Sequence, residues 1–227
     1  LGRLGTTATA EEITDTAVTQ PLVVAATLLA YEELAKREVL SGDEEIVAAG
    51  HSVGEIAAYA IAGVISADEA VSLAATRGRE MAKACALEPT GMSALLGGDE
   101  AEVLARLEAL DLVPANRNAV GQIVAAGAVA ALEKLAEDPP ARARVRPLAT
   151  AGAFHTQYMA PALDEYTRVA DRINPGTLHD DHHAPSHLRA IPHRRARDRR
   201  EARDRDREQD LHPAARGLVH DPGGPGA

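Results

Sequence analysis

Cysteine is all but missing from this 227-residue chain: Cys85 stands alone, which excludes an internal disulfide and suits a reducing compartment. No C-x-x-C or metal-like spacing accompanies it, so it reads as a small buried residue rather than a nucleophile. No apolar run approaches the ~18 residues that a membrane span requires, and the first residues lack the charged-then-apolar layout of a signal peptide. Positive charge is also in deficit, with 24 Lys and Arg against 34 Asp and Glu. The imbalance sits in residues 1–175, 14 against 25, and such an acidic body argues against general nucleic-acid binding. A soluble cytoplasmic protein is the expectation. The first residue is Leu1 rather than methionine, so the natural start is expected to be missing.

Aromatic residues are absent from the last 52 positions, which hold seven of the nine histidines. The chain therefore changes character near Pro175. Residues 179–183 (His-Asp-Asp-His-His) and the Arg/Asp alternation over 194–210 contain few apolar residues and no sustained amphipathic period. The histidines have no evident second shell, so no metal site is assigned. The Arg/Asp charges nearly cancel, which reads as a solvated segment rather than a nucleic-acid arm.

What is present is the hexapeptide Gly50-His51-Ser52-Val53-Gly54-Glu55, placed where a strand pattern stops and a helix pattern starts. Residues 45–49 are short and apolar as a buried strand would be, and 56–64 read as an Ala-rich helix. Glycines two before and two after a serine allow a sharp strand-to-helix turn that lifts the hydroxyl above the sheet edge, with a helix N-terminus behind it. That arrangement suits acyl transfer through a serine ester.

Around it the spacing predicts a helix over 21–37 starting at Pro21, a turn at 41–43, and a helix over 67–85 capped by Ser66. This is an α/β core. From Gly91 the rhythm changes to strand 92–96, helix 99–110, strand 112–116, strand 122–126, helix 129–137 and strand 145–148. That β-α-β-β-α-β order is the ferredoxin-like pattern and fits a small inserted domain. A helix over 159–172 follows. The organisation expected is a partial catalytic core over 1–88 and 149–175, an insert over 89–148, and a tail over 176–227 that is disordered or translated out of the native frame.

The elbow, Thr76-Arg77-Gly78, Gly91-Met92, Ala115-Asn116-Arg117-Asn118, the run Gly121-Gln122-Ile123-Val124-Ala125-Ala126-Gly127 and Gly152-Ala153-Phe154-His155-Thr156 together resemble malonyl-CoA:acyl-carrier-protein transacylases and the acyltransferase domains of polyketide synthases. The resemblance covers about residues 8–174. It implies an α/β-hydrolase-like core around the ferredoxin-like insert. It implies Ser52 as nucleophile and His155 as general base, moving malonyl from malonyl-CoA to the phosphopantetheine thiol of an acyl carrier protein. Arg77 matches the arginine that holds the malonyl carboxylate, a bidentate task for which lysine is no substitute. Val53 and Phe154 match positions that track acyl choice, with Phe154 expected to crowd an α-methyl branch. Gln20 resembles a glutamine near the acyl pocket, and His51, Asn118 and Gln122 complete the substrate-binding set; a purely structural strand role for Gln122 stays open. No metal or cofactor is implied, malonyl-CoA being a substrate, and a monomer is expected.

Members of that family begin with a strand ending in Gly-Gln-Gly-x-Gln, whose last residue supplies an oxyanion-hole N–H, and this sequence contains no such motif. Losing one such donor typically reduces rate by ~10²–10³. A serine hydrolase on a related fold remains an alternative, with Asp99 and Asp138 as candidate acidic partners. A catalytically impaired fragment is another.

Overall fold

Local capping signals start the second and third helices of the chain. The computed structural model describes residues 1–37, 39, 46–173 and 188–191, with Ile46 and the last four as backbone only. After α1 (Gly2–Thr6), Thr9 and Glu12 form a reciprocal capping box that opens α2 (Ala10–Thr14). Asp15 then accepts from the Ala17 N–H at 2.9 Å and opens α3 (Thr16–Lys36). The sequence places this start at Pro21; the helix instead begins five residues earlier and carries Pro21 in its interior. An interior proline costs ~3 kcal/mol. The ridge Thr16, Gln20, Val24 and Leu28, all buried, compensates by packing at i, i+4 spacing against its neighbours.

β1 (Ile46–Ala49) leads into α4 (Gly54–Ile61), and α5 (Ala67–Cys85) follows, capped as expected by Ser66 with Glu69 closing the box. Val24 and Leu28 of α3 meet Ile56 and Ala57 of α4 and Ala70, Leu73 and Ala74 of α5 in one apolar cluster. α3 and α5 approach closely at Gly78, where a Cβ would lie 2.5 Å from the Thr16 carbonyl oxygen. That contact sets Arg77, one residue earlier, beside Gln20.

The following segment forms β2 (Thr90–Gly97), α6 (Glu100–Ala109), β3 (Val113–Ala119), β4 (Gln122–Ala128), α7 (Val129–Glu137) and β5 (Ala143–Pro147). The four strands make one antiparallel sheet in the order β3-β4-β2-β5. Alternation along the strands buries both faces. Leu95, Ile123 and Ala125 pack on Val103 and Leu107 of α6 and Leu132 and Leu135 of α7. Met92, Val124 and Ala126 pack instead on Ala153, and so position the loop that carries His155.

The predicted single helix over 159–172 is two elements, a 3-10 helix (Gln157–Ala162) and α8 (Leu163–Ala170). Pro161 cannot donate the backbone bond that an uninterrupted α-helix needs. Leu188–Ile191 form β6, parallel to β1, with Ile46 opposite Leu188 and Ala49 opposite Ile191. This corrects the reading of the tail for these four residues, a short mainly apolar Leu-Arg-Ala-Ile run that suits a strand. The expected turn at 41–43, the histidine cluster over 179–183 and the Arg/Asp stretch over 194–210 lie outside the described residues. Among the described residues, no helix is long and apolar enough to cross a membrane.

Candidate active site

The elbow is built where β1 turns into α4. Ser52 has φ 56°, a left-handed conformation that a non-glycine residue holds only when its surroundings enforce it. Gly50 makes the turn possible, since a Cβ there would fall 2.1 Å from the Gly54 carbonyl carbon and oxygen. Gly54 itself has nothing within 4 Å of an added Cβ, so its smallness is not required for space. Gly54, Glu55 and Ile56 turn their N–H groups back onto the carbonyls of His51, Ser52 and Val53. Among the described residues no acceptor takes the Val53 N–H, which stands at the head of α4.

Arg77 reaches this turn from α5. Its Nη2 donates to Ser52 Oγ at 3.2 Å and its Nη1 to Gln20 Oε1 at 2.6 Å. Gln20, only 5% exposed, donates through Nε2 to Thr16 Oγ1 at 2.9 Å and to Met81 Sδ at 3.2 Å. The thioether sulfur can only accept and the guanidinium can only donate, so the amide is fixed with its oxygen toward the arginine. Burial lowers the Arg77 pKa, while Tyr166 and Glu55 act in the opposite direction. The result is a semi-buried cation held by a neutral amide and pointed at the serine.

His155 arrives on the loop behind the four-stranded sheet. Thr90 Oγ1 accepts from the Ala153 N–H at 3.1 Å, and Thr156 Oγ1 donates to the Ala153 carbonyl at 2.6 Å. Gly152 sits against Cys85, whose Sγ would lie 2.5 Å from an added Cβ. With the loop so fixed, His155 takes φ 62°, and its ring centroid lies 5.8 Å from that of His51, the neighbour of Ser52.

Ser52, His155, Arg77, His51 and Asn118 line one cleft of about 980 Å³. The other predicted residues take different places. Gln20 reaches the cleft through Arg77, its oxygen already engaged. Val53 caps α4 and packs on the helical cluster. Phe154 is not among the cleft-lining residues; it packs between Met81 and Met159 on one side and Met92 and Val124 on the other. Gln122 is exposed at the start of β4, opposite Leu96 and Ala119, and does not line the cleft. The acidic candidates for a hydrolase triad are occupied elsewhere. Asp99 caps α6 through the Ala101 and Glu102 N–H groups, and Asp138 pairs with Arg106 at 2.8 Å.

Sequence reasoning missed four ionisable cleft residues: Glu55, Tyr59, Arg117 and Tyr166. Glu55 was findable, because it follows Ser52 by three residues and so falls on the first turn of α4. Arg117, paired with Glu100 at 3.2 Å, was quoted only as part of a motif. Nothing local marks Tyr166, which enters from α8. Burial raises its phenol pKa, against the nearby Arg77 charge that lowers it.

The acyl transferase domain model matches residues 6–195, so the boundary that composition suggested near 175 falls inside the matched span. The malonyl CoA-acyl carrier protein transacylase of Mycolicibacterium smegmatis is 81% identical over 173 residues, covering 76% of this chain and 59% of that protein. The crystal structure of MCAT from Mycobacterium tuberculosis superposes with a TM-score of 0.74 at 75% identity, over 77% of this chain and 57% of the other. A complex of a type II polyketide-synthase acyl-carrier protein with its malonyl-transacylase gives a TM-score of 0.69 at 28% identity, over 77% of this chain and 58% of that one. The chain thus spans somewhat more than half the length of the relatives it matches. On the family match and these identities, the chain belongs to the acyl transferase domain family.

Proposed function

We propose that this chain moves a malonyl group from malonyl-CoA to the phosphopantetheine thiol of an acyl carrier protein, in fatty-acid or polyketide synthesis, through a malonyl ester on Ser52. The observation that carries the reading is the Arg77 guanidinium, 3.2 Å from Ser52 Oγ and oriented by Gln20. A neutral ester gains nothing from a semi-buried cation beside the nucleophile. An acyl group that ends in a carboxylate gains a charge-assisted partner. The protein names of the relatives support the same substrate class.

Ser52 Oγ attacks the thioester carbonyl while His155 takes its proton. The Val53 N–H and the α4 N-terminus face the oxygen that becomes negative. Collapse expels coenzyme A thiolate, which His155 reprotonates. The carrier thiol then repeats the sequence in reverse on the serine ester, giving ping-pong kinetics. No metal or cofactor enters, and the protein acts as a cytoplasmic monomer.

The finer architecture follows the same reading: an α/β-hydrolase-like core with a ferredoxin-like insert over 89–148. The strand order β3-β4-β2-β5, with α6 and α7 on one face, supports the insert.

Intact-mass spectrometry after exposure to malonyl-CoA tests the proposal. The expected result is a malonyl adduct that is absent in Ser52→Ala and is discharged by a phosphopantetheinylated carrier protein. Folded protein with no adduct, or an adduct that survives Ser52→Ala, would refute it.

A further inference from the structure

Three cleft residues, Arg77, His155 and Tyr166, also line a second cavity of about 340 Å³. Its remaining wall is mainly apolar, with Met81, Met159, Ala162 and Leu163. The three shared residues therefore form the partition between the two spaces. Two of them already have tasks in the proposed reaction, and Tyr166 has none.

Tyr166 is held firmly in that partition. Together with Val169, Ala170 and Ile173 it packs α8 against the Val24–Ile56–Leu73 cluster, a stripe at i, i+3, i+4 and i+7. Burial disfavours ionisation of its phenol, and the residue is half-buried. The acyl group, meanwhile, has little freedom. Its carbonyl carbon is bonded to Ser52 and its carboxylate pairs with Arg77, so the single carbon between them lies beside the shared wall. A branch on that carbon directed toward the wall meets the Tyr166 ring before it reaches the apolar space beyond.

We infer that Tyr166 is a specificity-determining residue, closing off an apolar cavity that would otherwise accept an alkyl branch on the α-carbon of a dicarboxylic acyl thioester. This rests on the malonyl-transfer reading above. It also relocates the expected discriminator from Phe154, which packs away from the cleft, to a residue twelve positions later.

The test is a competition between malonyl-CoA and methylmalonyl-CoA, read as the ratio of the two Ser52 adducts by intact mass. Tyr166→Ala should join the cavities and lower the malonyl preference by about tenfold or more, the range one accommodated methyl group supports. Tyr166→Phe keeps the ring and should keep the wild-type ratio. If Tyr166→Ala lacks a native circular-dichroism spectrum, Tyr166→Leu retains an apolar body for the stripe and should shift the ratio in the same direction. A folded Tyr166→Ala or Tyr166→Leu protein that loads malonyl with an unchanged ratio overturns the inference. So does a Tyr166→Phe shift as large as that of Tyr166→Ala, because the hydroxyl rather than the bulk would then decide. Wild-type protein without any malonyl adduct fails at the earlier step and removes the transfer reading together with this one.

Discussion

Replacing Gln20 with glutamate is the sharpest probe of how the acyl group is selected, because it changes a charge while preserving a shape. In the native protein Gln20 Oε1 accepts from Arg77 Nη1 at 2.6 Å, and Nη2 points at Ser52. The neutral amide orients the guanidinium without consuming its charge. A carboxylate in its place would keep the contact on Nη1 but stand on the same cation that, in the proposed function, receives the malonyl carboxylate. Carboxylates on opposite sides of one guanidinium are separated by roughly 6 Å, and at an effective dielectric near 20 their repulsion is ~3 kcal/mol. That corresponds to roughly a hundredfold loss in malonyl loading. The new carboxylate would also lose the Met81 contact, which needs the amide Nε2 as donor, whereas the Thr16 hydroxyl can turn to donate to it. Loading of acetyl, which brings no charge, should fall far less. Rates of Ser52 adduct formation from malonyl-CoA and acetyl-CoA, measured side by side for wild type and Gln20→Glu, give the comparison. A malonyl-to-acetyl ratio unchanged from wild type would refute the argument that Gln20 keeps the arginine's charge available.

Two further substitutions test the local structure. Gly50→Ala places a Cβ 2.1 Å from the Gly54 backbone and should destabilise the fold by ~1–3 kcal/mol, whereas Gly54→Ala meets nothing and should be neutral or stabilising by ~0.5–1 kcal/mol; urea midpoints distinguish them. Ser66→Ala removes the capping box of α5 and should cost about 1 kcal/mol at neutral pH. The Ser66 N–H and hydroxyl hold the Glu69 carboxyl below its ordinary pKa, so the box contributes above the usual carboxylate range and weakens as pH falls through the lowered value. The urea-midpoint gap between wild type and Ser66→Ala should accordingly narrow below about pH 4. A gap that persists unchanged into acid would show that the Ser66 hydroxyl does not act through the Glu69 carboxylate, since the backbone N–H of residue 66 still bonds that carboxylate in Ser66→Ala.

Elements whose signals are local were legible in the sequence. α5 and α7 have the boundaries that Ser66 capping and apolar spacing predicted, and all four strands of the antiparallel sheet fall within two or three residues of expectation. The errors came where a local signal was real but outvoted. Pro21 is a good helix opener, yet Asp15 caps earlier and a buried ridge holds the turn between them. The Thr9–Glu12 capping box is present in the sequence, but the helix it opens is five residues long with Ile13 as its one large apolar residue, too short for a helical period to be read. In the site, the residues adjacent to a motif were overvalued. Phe154 neighbours His155 in sequence, but the left-handed turn at His155 sends the two side chains apart, one to the cleft and one to the core. Tyr166 was invisible for the converse reason: its role depends on where α8 lands, which is set by Val169, Ala170 and Ile173 packing on helices far away in sequence.

Ser52 and His155, the pair to which the proposed mechanism assigns the chemistry, both sit on strained backbone. Ser52 and His155 account for two of the four non-glycine residues with positive φ among the described residues, each strain being worth ~1–3 kcal/mol. Each strained residue is flanked by contacts that leave it little alternative: Gly50 packed on Gly54 and the head of α4 for the serine, Gly152 on Cys85 and the Thr90–Ala153 hydrogen bond for the histidine. These supports come from different elements, β1 with α4 in one case and α5 with β2 in the other. Ser52 and His155 are therefore positioned by separate parts of the fold, and Arg77, carried on α5 and tied through Gln20 to α3, joins them in one cleft. Weakening the α3–α5 contact at Gly78 should on this view disturb Arg77 and its bond to Ser52 before it disturbs the elbow backbone, since the packing of Gly50 on Gly54 makes no use of that contact.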